Sequence, residues 1–178
     1  MKNKQLSLVV KAALSSGFFL IAVIFLVGCA GNAKAQTAGQ NTIGGTMEPI
    51  FPRGAKAPET VFTGTAFTNM LVPDTNGIYD LQVYDVVFEA GARNNWHSHP
   101  GGQILLVTAG KGYYQERGKT AQLLQIGDVV EIPPNVEHWH GSAPDSEFTH
   151  IGISPNTQKG NAKWLDPVSD TEHTEATK

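Results

Sequence analysis

Trp96-His97-Ser98-His99-Pro100-Gly101-Gly102-Gln103 decides how this chain reads. Side chains alternate between the two faces of a β-strand, so His97 and His99, two residues apart, project to the same side and can reach one ion. The Pro100-Gly101-Gly102 turn can fold the next strand back, which brings Gln103 to the same point. A fourth donor arrives from further along, in Pro133-Pro134-Asn135-Val136-Glu137-His138, where prolines fix the approach and Asn135 tolerates a positive φ. Three imidazoles and an amide oxygen leave two positions open on a six-coordinate ion. Such a set accepts one divalent metal ion, with Mn, Fe, Co, Ni and Zn all admissible. His140 follows His138 by two residues and faces the same interior. It need not ligate, and an imidazole that titrates near neutrality suits a general acid or base.

Outward from this stretch the chain is a series of short, β-rich runs: Ile78 to Phe88, Trp96 to His99, Gln103 to Ala109, Gly112 to Gln115, Ala121 to Leu124, Val129 to Ile132, Glu137 to Gly141 and Phe148 to Ser154. Turn residues separate them, as at Asn76-Gly77, Gly127-Asp128 and Pro133-Pro134-Asn135. With no long amphipathic pattern between them, the expected fold class is all-β, a sandwich or a barrel. The 178 residues, 40% hydrophobic, suffice for one ordinary domain, placed at 59–168. A Gly-, Ala- and Thr-rich tether is expected over 29–58 and a frayed polar tail over 169–178, with His173 exposed in it. His150 sits in the apolar run Thr149-His150-Ile151-Gly152-Ile153, and is either a hydrogen-bonded core histidine or a second acid–base group. Arg93 reads as a surface charge in preference to a rim group. Trp96, Tyr113, Trp139 and Phe148 read as core in preference to an aromatic pocket.

The N-terminus is organised differently. Lys2, Lys4 and Lys11 precede the apolar run 12–27, which is short for a membrane span and fits an export signal over 1–28. Leu26-Val27-Gly28-Cys29 resembles the lipobox of bacterial lipoproteins, which implies lipidation of Cys29, membrane anchoring and a periplasmic location. Ala30-Gly31, lacking Asp, resembles the outer-membrane sorting pattern. Cys29 is the single cysteine, so no disulfide can form within the chain. Loss of residues 1–28 removes three of the 13 basic residues and none of the 16 acidic ones, leaving a net charge of −6. With no Lys/Arg stripe to offset this, nucleic acid is not an expected partner.

Gly91-x5-His97-x-His99-x3-Gln103-x6-Gly110 is similar to the first cupin motif, with Gln103 where Glu is usual, and Gly127-x5-Pro133-x-Asn135-x2-His138 is similar to the second. The resemblance implies a single cupin barrel with His97, His99, Gln103 and His138 as metal ligands. Within the cupins the chain resembles the small bacterial manganese hydroxynitrile lyases, through Phe62-Thr63-Gly64-Thr65, Trp96-His97-x-His99-Pro100, Gly102-Gln103, His138-Trp139-His140-Gly141, Thr149-His150, Trp164 and Val168. This resemblance implies manganese as the first choice of metal, His140 and His150 as proton-handling catalytic residues, and cleavage of a small cyanohydrin-like substrate. A neutral amide in place of a carboxylate leaves the metal site formally at +2, which favours anionic ligands. Two other function classes stay open on the sequence: a dioxygenase or other oxidoreductase, and a non-catalytic small-ligand-binding lipoprotein. Cupin barrels commonly pair through edge strands, which implies a homodimer or homotetramer.

Overall fold

Leu81–Phe88 shows why the barrel forms. Tyr84, Val86 and Phe88 alternate onto the face that packs into the main apolar core, Phe88 fully buried and Val86 nearly so. This strand, β4, lies between β3 (Ala66–Val72) and β11 (Phe148–Pro155), with Tyr84 opposite Gly152, Val86 opposite His150 and Phe88 opposite Phe148. The computed structural model describes residues 49–178 apart from position 75. The expected signal segment, Cys29 and the tether up to residue 48 lie outside the described residues.

The architecture is all-β, a curled sheet of cupin type. β1 (Ala55–Lys56) pairs with β3 at one edge, and β11 passes the sheet on to β7 (Gln103–Glu116). β7 serves both walls: its first part also pairs with β9 (Val129–Ile132), and its second part with β8 (Gln122–Gln125) and β10 (His138–Ser142). The second wall continues from β10 to β5 (Arg93–Asn94) and β2 (Phe62–Thr63). On the other side β6 (His97–Ser98) pairs with both β10 and β12 (Lys163–Trp164). The runs expected at 103–109 and 112–115 are therefore one strand. Gly110, at φ 69°, lets it bend without breaking, and a Cβ there would lie 1.8 Å from the Glu147 carbonyl oxygen. Gly110→Ala is expected to lower stability by more than the roughly 1–2 kcal/mol of a left-handed alanine alone, because the overlap adds to it. A urea midpoint equal to wild type would contradict this.

Both flanks of the expected domain correct the sequence reading. Part of the anticipated tether is ordered: β1 is followed by Ala57, which is buried in the core and donates its N–H to Ala66 O at 2.8 Å. Residues 170–176, anticipated as frayed, form helix α1 (Asp170–Ala176). Ser169 and Glu172 close a capping box, each side chain accepting from the other's backbone N–H at 3.2 and 2.8 Å. His173, anticipated as exposed, is buried with its ring 5.7 Å from that of Trp139. Arg93 is likewise buried, not on the surface: Nε and Nη2 donate to Val168 O at 3.1 and 2.9 Å, and Nη2 reaches Asp170 at 2.6 Å. A single guanidinium thus clamps the C-terminal segment to β5. Trp96, Trp139 and Tyr113 belong to this second apolar cluster and Phe148 to the main core, as the sequence reading preferred.

Candidate metal centre

Strand pairing, not sequence proximity, assembles the site. His97 and His138 face each other across β6 and β10, and their ring centroids are 4.2 Å apart. The His99 ring lies 5.2 Å from that of His97 and 5.9 Å from that of His138. Gln103, the first residue of β7, brings Oε1 to 2.9 Å from His138 Nε2. All four side chains are buried, as are His140 and His150. Among the described residues, the imidazole nitrogens of His97, His138 and His140 come within 4.8 Å of one another, tightly enough to hold an ion. His99, by its ring distances, and Gln103, by its contact with His138, stand beside the same locus. A cavity of about 490 Å³ opens onto it, with His97, His99, Gln103 and His140 in its wall. Among the described residues, its lining includes no Asp, Glu, Lys or Arg.

Hydrogen bonding suits these groups to a cation. His97 Nδ1 lies 3.0 Å from Asn95 O and His138 Nδ1 lies 2.9 Å from Val136 O. Each therefore carries its proton on Nδ1 and turns an Nε2 lone pair inward. Gln103 Nε2 donates to Tyr84 Oη at 2.6 Å, which leaves Oε1 facing His138. Two acceptors, Oε1 and Nε2, then stand 2.9 Å apart with no proton between them, and His99 Nε2 is buried with no partner among the described residues. Buried lone pairs in this arrangement are unfavourable unless a cation receives them. The residues fit a divalent metal.

Behind the locus stands a second pair. His140 Nδ1 is 3.2 Å from His150 Nε2, and the rings meet edge to face at 4.7 Å. Asn94 Oδ1 accepts the His140 backbone N–H at 3.0 Å, which fixes its amide so that Nδ2 lies against the imidazole edge, 3.0 Å from Nε2 and 3.2 Å from Nδ1. One proton can thus sit between the two histidines. Among the described residues, His150 Nδ1 has no partner.

Burial is the first cause of every histidine shift in this cluster. It lowers His99, His138 and His150 to about 4, and holds His97 and His140 well below 6.5, where neighbouring imidazoles depress them further. Between pH 6.5 and about 4 the unfolded chain binds protons that the folded chain refuses, so metal-free protein loses stability as pH falls through this window. Asp85 acts in the opposite sense: burial raises its carboxyl to about 6, so its contribution is lost as pH rises through 6. Five imidazoles outweigh one carboxyl. The urea midpoint of metal-free protein should therefore fall from pH 7 to pH 5, and a constant or rising midpoint would refute the account.

Sequence reasoning placed His97, His99, Gln103, His138, His140 and His150 together, and they do converge. It missed Asn94, Tyr84 and Ser154. Tyr84 had a signal, a hydroxyl-bearing residue in phase with Val86 and Phe88 on its strand; Asn94 and Ser154 had none. The aromatics of the cavity are three that sequence reasoning did not single out for that role. Phe62, Tyr84 and Trp164 line the cavity, and the Trp164 ring lies 4.8 Å from that of His97.

Residues 84–151, which contain all six of those positions, match the cupin domain family. The chain is 38% identical over 120 residues to an (R)-mandelonitrile lyase from Granulicella tundricola, an alignment covering 66% of this chain and 89% of the relative. Among solved structures, a cupin-like protein from Thermotoga maritima is 61% identical with a TM-score of 0.72, over 73% of this chain and 98% of that one. A predicted oxalate decarboxylase from the same organism shares the fold at 14% identity and a TM-score of 0.52, over 64% of this chain and 95% of that one. With the barrel, the two motifs and these matches in agreement, the chain belongs to the cupin family.

Proposed function

We propose that this cupin is a metal-dependent lyase of the hydroxynitrile type, with His97, His99, Gln103 and His138 holding one divalent ion, manganese first. The observation that carries the reading is the pairing of a fully neutral, inward-turned donor set with the His140–His150 couple on a cavity free of charged side chains. A divalent ion on neutral ligands supplies, when bound, a Lewis acid of undiminished charge for the anion that develops as the C–C bond breaks. His140 takes the cyanohydrin hydroxyl proton, and His150 shares it through the 3.2 Å contact. The C–C electron pair leaves with cyanide, the carbonyl product forms, and the stored proton returns to cyanide. Phe62 and Trp164, on one side of the cavity with centroids 6.0 Å apart, offer an apolar face for an aryl group. The 38% identity to a mandelonitrile lyase supports the same substrate class. As part of this proposal, lipidated Cys29 anchors the protein at the periplasmic side of the outer membrane, which restricts it to small diffusible substrates.

The test is anaerobic cleavage of mandelonitrile by protein starting after Cys29, with metal measured by elemental analysis. Benzaldehyde release at the same rate with and without oxygen supports the lyase. A full complement of metal with no cleavage removes it, and turnover only in oxygen replaces it with an oxidative reaction.

A further inference from the structure

Three residues that the proposed reaction does not use, Tyr84, Gly152 and Ser154, meet at the cavity wall beside Gln103 and His99. Tyr84 on β4 stands directly opposite Gly152 on β11. A Cβ at 152 would fall 2.2 Å from Tyr84 Cε2, so the phenol ring fills the space that a side chain there would take. Its hydroxyl is thereby fixed in place. From it runs a hydrogen-bonded chain: Gln103 Nε2 to Tyr84 Oη at 2.6 Å, Tyr84 Oη to Ser154 Oγ at 3.0 Å, and Ser154 Oγ to His99 Nδ1 at 3.3 Å.

The two ends of this network fix their own contacts. Gln103 can only donate through Nε2. His99, to present its buried and unpartnered Nε2 as a lone pair, carries its proton on Nδ1 and donates it to Ser154 Oγ. Either oxygen of the Tyr84–Ser154 contact can donate, and among the described residues Tyr84 Oη is the acceptor within reach of the Ser154 proton. With the Ser154 proton given to Tyr84, the phenol oxygen receives two hydrogen bonds, and its own O–H is left to point from the wall of the cavity into its interior. We infer that Tyr84 is a substrate-binding donor, its O–H directed at the oxygen of a small carbonyl or hydroxyl compound held in the cavity. The inference deepens the proposed function and rests on the ligand set proposed there, through the choice of nitrogen that carries the His99 proton.

The test compares metal-loaded wild type, Tyr84→Phe and Ser154→Ala, with benzaldehyde ¹³C-labelled at the carbonyl as the probe. It reads metal per chain, benzaldehyde dissociation constant and the infrared carbonyl band of the bound probe. Tyr84→Phe is expected to keep full metal, to bind benzaldehyde about five- to tenfold more weakly, the effect of one hydrogen bond, and to move the band to higher frequency. Ser154→Ala removes the acceptor of His99 Nδ1 but keeps the phenol, so metal affinity should fall roughly 10–100-fold with the band at its wild-type position. A Tyr84→Phe protein with full metal and an unchanged constant and band overturns the donor. Metal loss in Tyr84→Phe matching that in Ser154→Ala overturns it in favour of a residue that only positions Gln103. Wild type that takes up no metal overturns the ligand set itself, a result read from metal content before any benzaldehyde is added.

Discussion

Replacing His140 with alanine is expected to lower kcat for cyanohydrin cleavage by about 10²–10⁴-fold, the usual loss when a positioned acid–base group is removed, while metal content stays at one per chain. The expectation follows from two contacts. Asn94 holds His140 through its backbone N–H and the edge of its ring, and His150 takes or returns its proton at 3.2 Å. Neither contact requires the metal. The same variant also decides a geometric question, because the nitrogens of His140 cluster with those of His97 and His138 more tightly than those of His99 do. If His140→Ala loses its metal and His99→Ala retains it, the two histidines exchange roles, and the proton must be handled elsewhere. Elemental analysis of both variants, alongside single-turnover benzaldehyde release, separates the outcomes.

His138→Ala should have the opposite profile. His138 is fully buried, holds its proton toward Val136 O, and faces both His97 and Gln103. Its removal takes away a central lone pair and leaves Gln103 Oε1 without its neighbour. Metal affinity should fall by more than the roughly 10–100-fold typical of residues that only support a ligand, and activity should disappear with it. Added excess metal should restore little. Competition against a chelator of known affinity measures the first effect, and circular dichroism establishes that the barrel is intact. Stoichiometric metal in a folded His138→Ala protein would remove His138 from the ligand set.

Much of the site was readable in the sequence because its signals are local. His97-x-His99 has the period of a strand, Pro100-Gly101-Gly102 marks a turn, and His138-x-His140 repeats the period on a second strand. The convergence of the two halves was not local, and came from the cupin resemblance. What escaped depends on contacts between distant strands. Ser154 matters because β11 runs beside β4 and carries it to within 3.0 Å of Tyr84, 70 residues away in the chain. Arg93 looked like a surface charge because its acceptor, the Val168 carbonyl, has no side-chain signature. The ordered C-terminus was missed for a different reason. Ser169-Asp170-Thr171-Glu172 is a capping box that was legible, but a polar seven-residue helix is stable only on a surface that buries one face, here Trp139 and Val168.

β12 and α1 also impose an order on assembly. The residues that present the donor set, from His97 to His138, leave the ribosome before Trp164, which covers His97, and before Val168 and Asp170, which Arg93 grips. A partly made chain has its donors exposed and its second wall unfinished. Fusions or proteolysis that displace residues 163–176 should therefore yield barrels that fold along β4, β7 and β11 yet hold metal in a site open on one side.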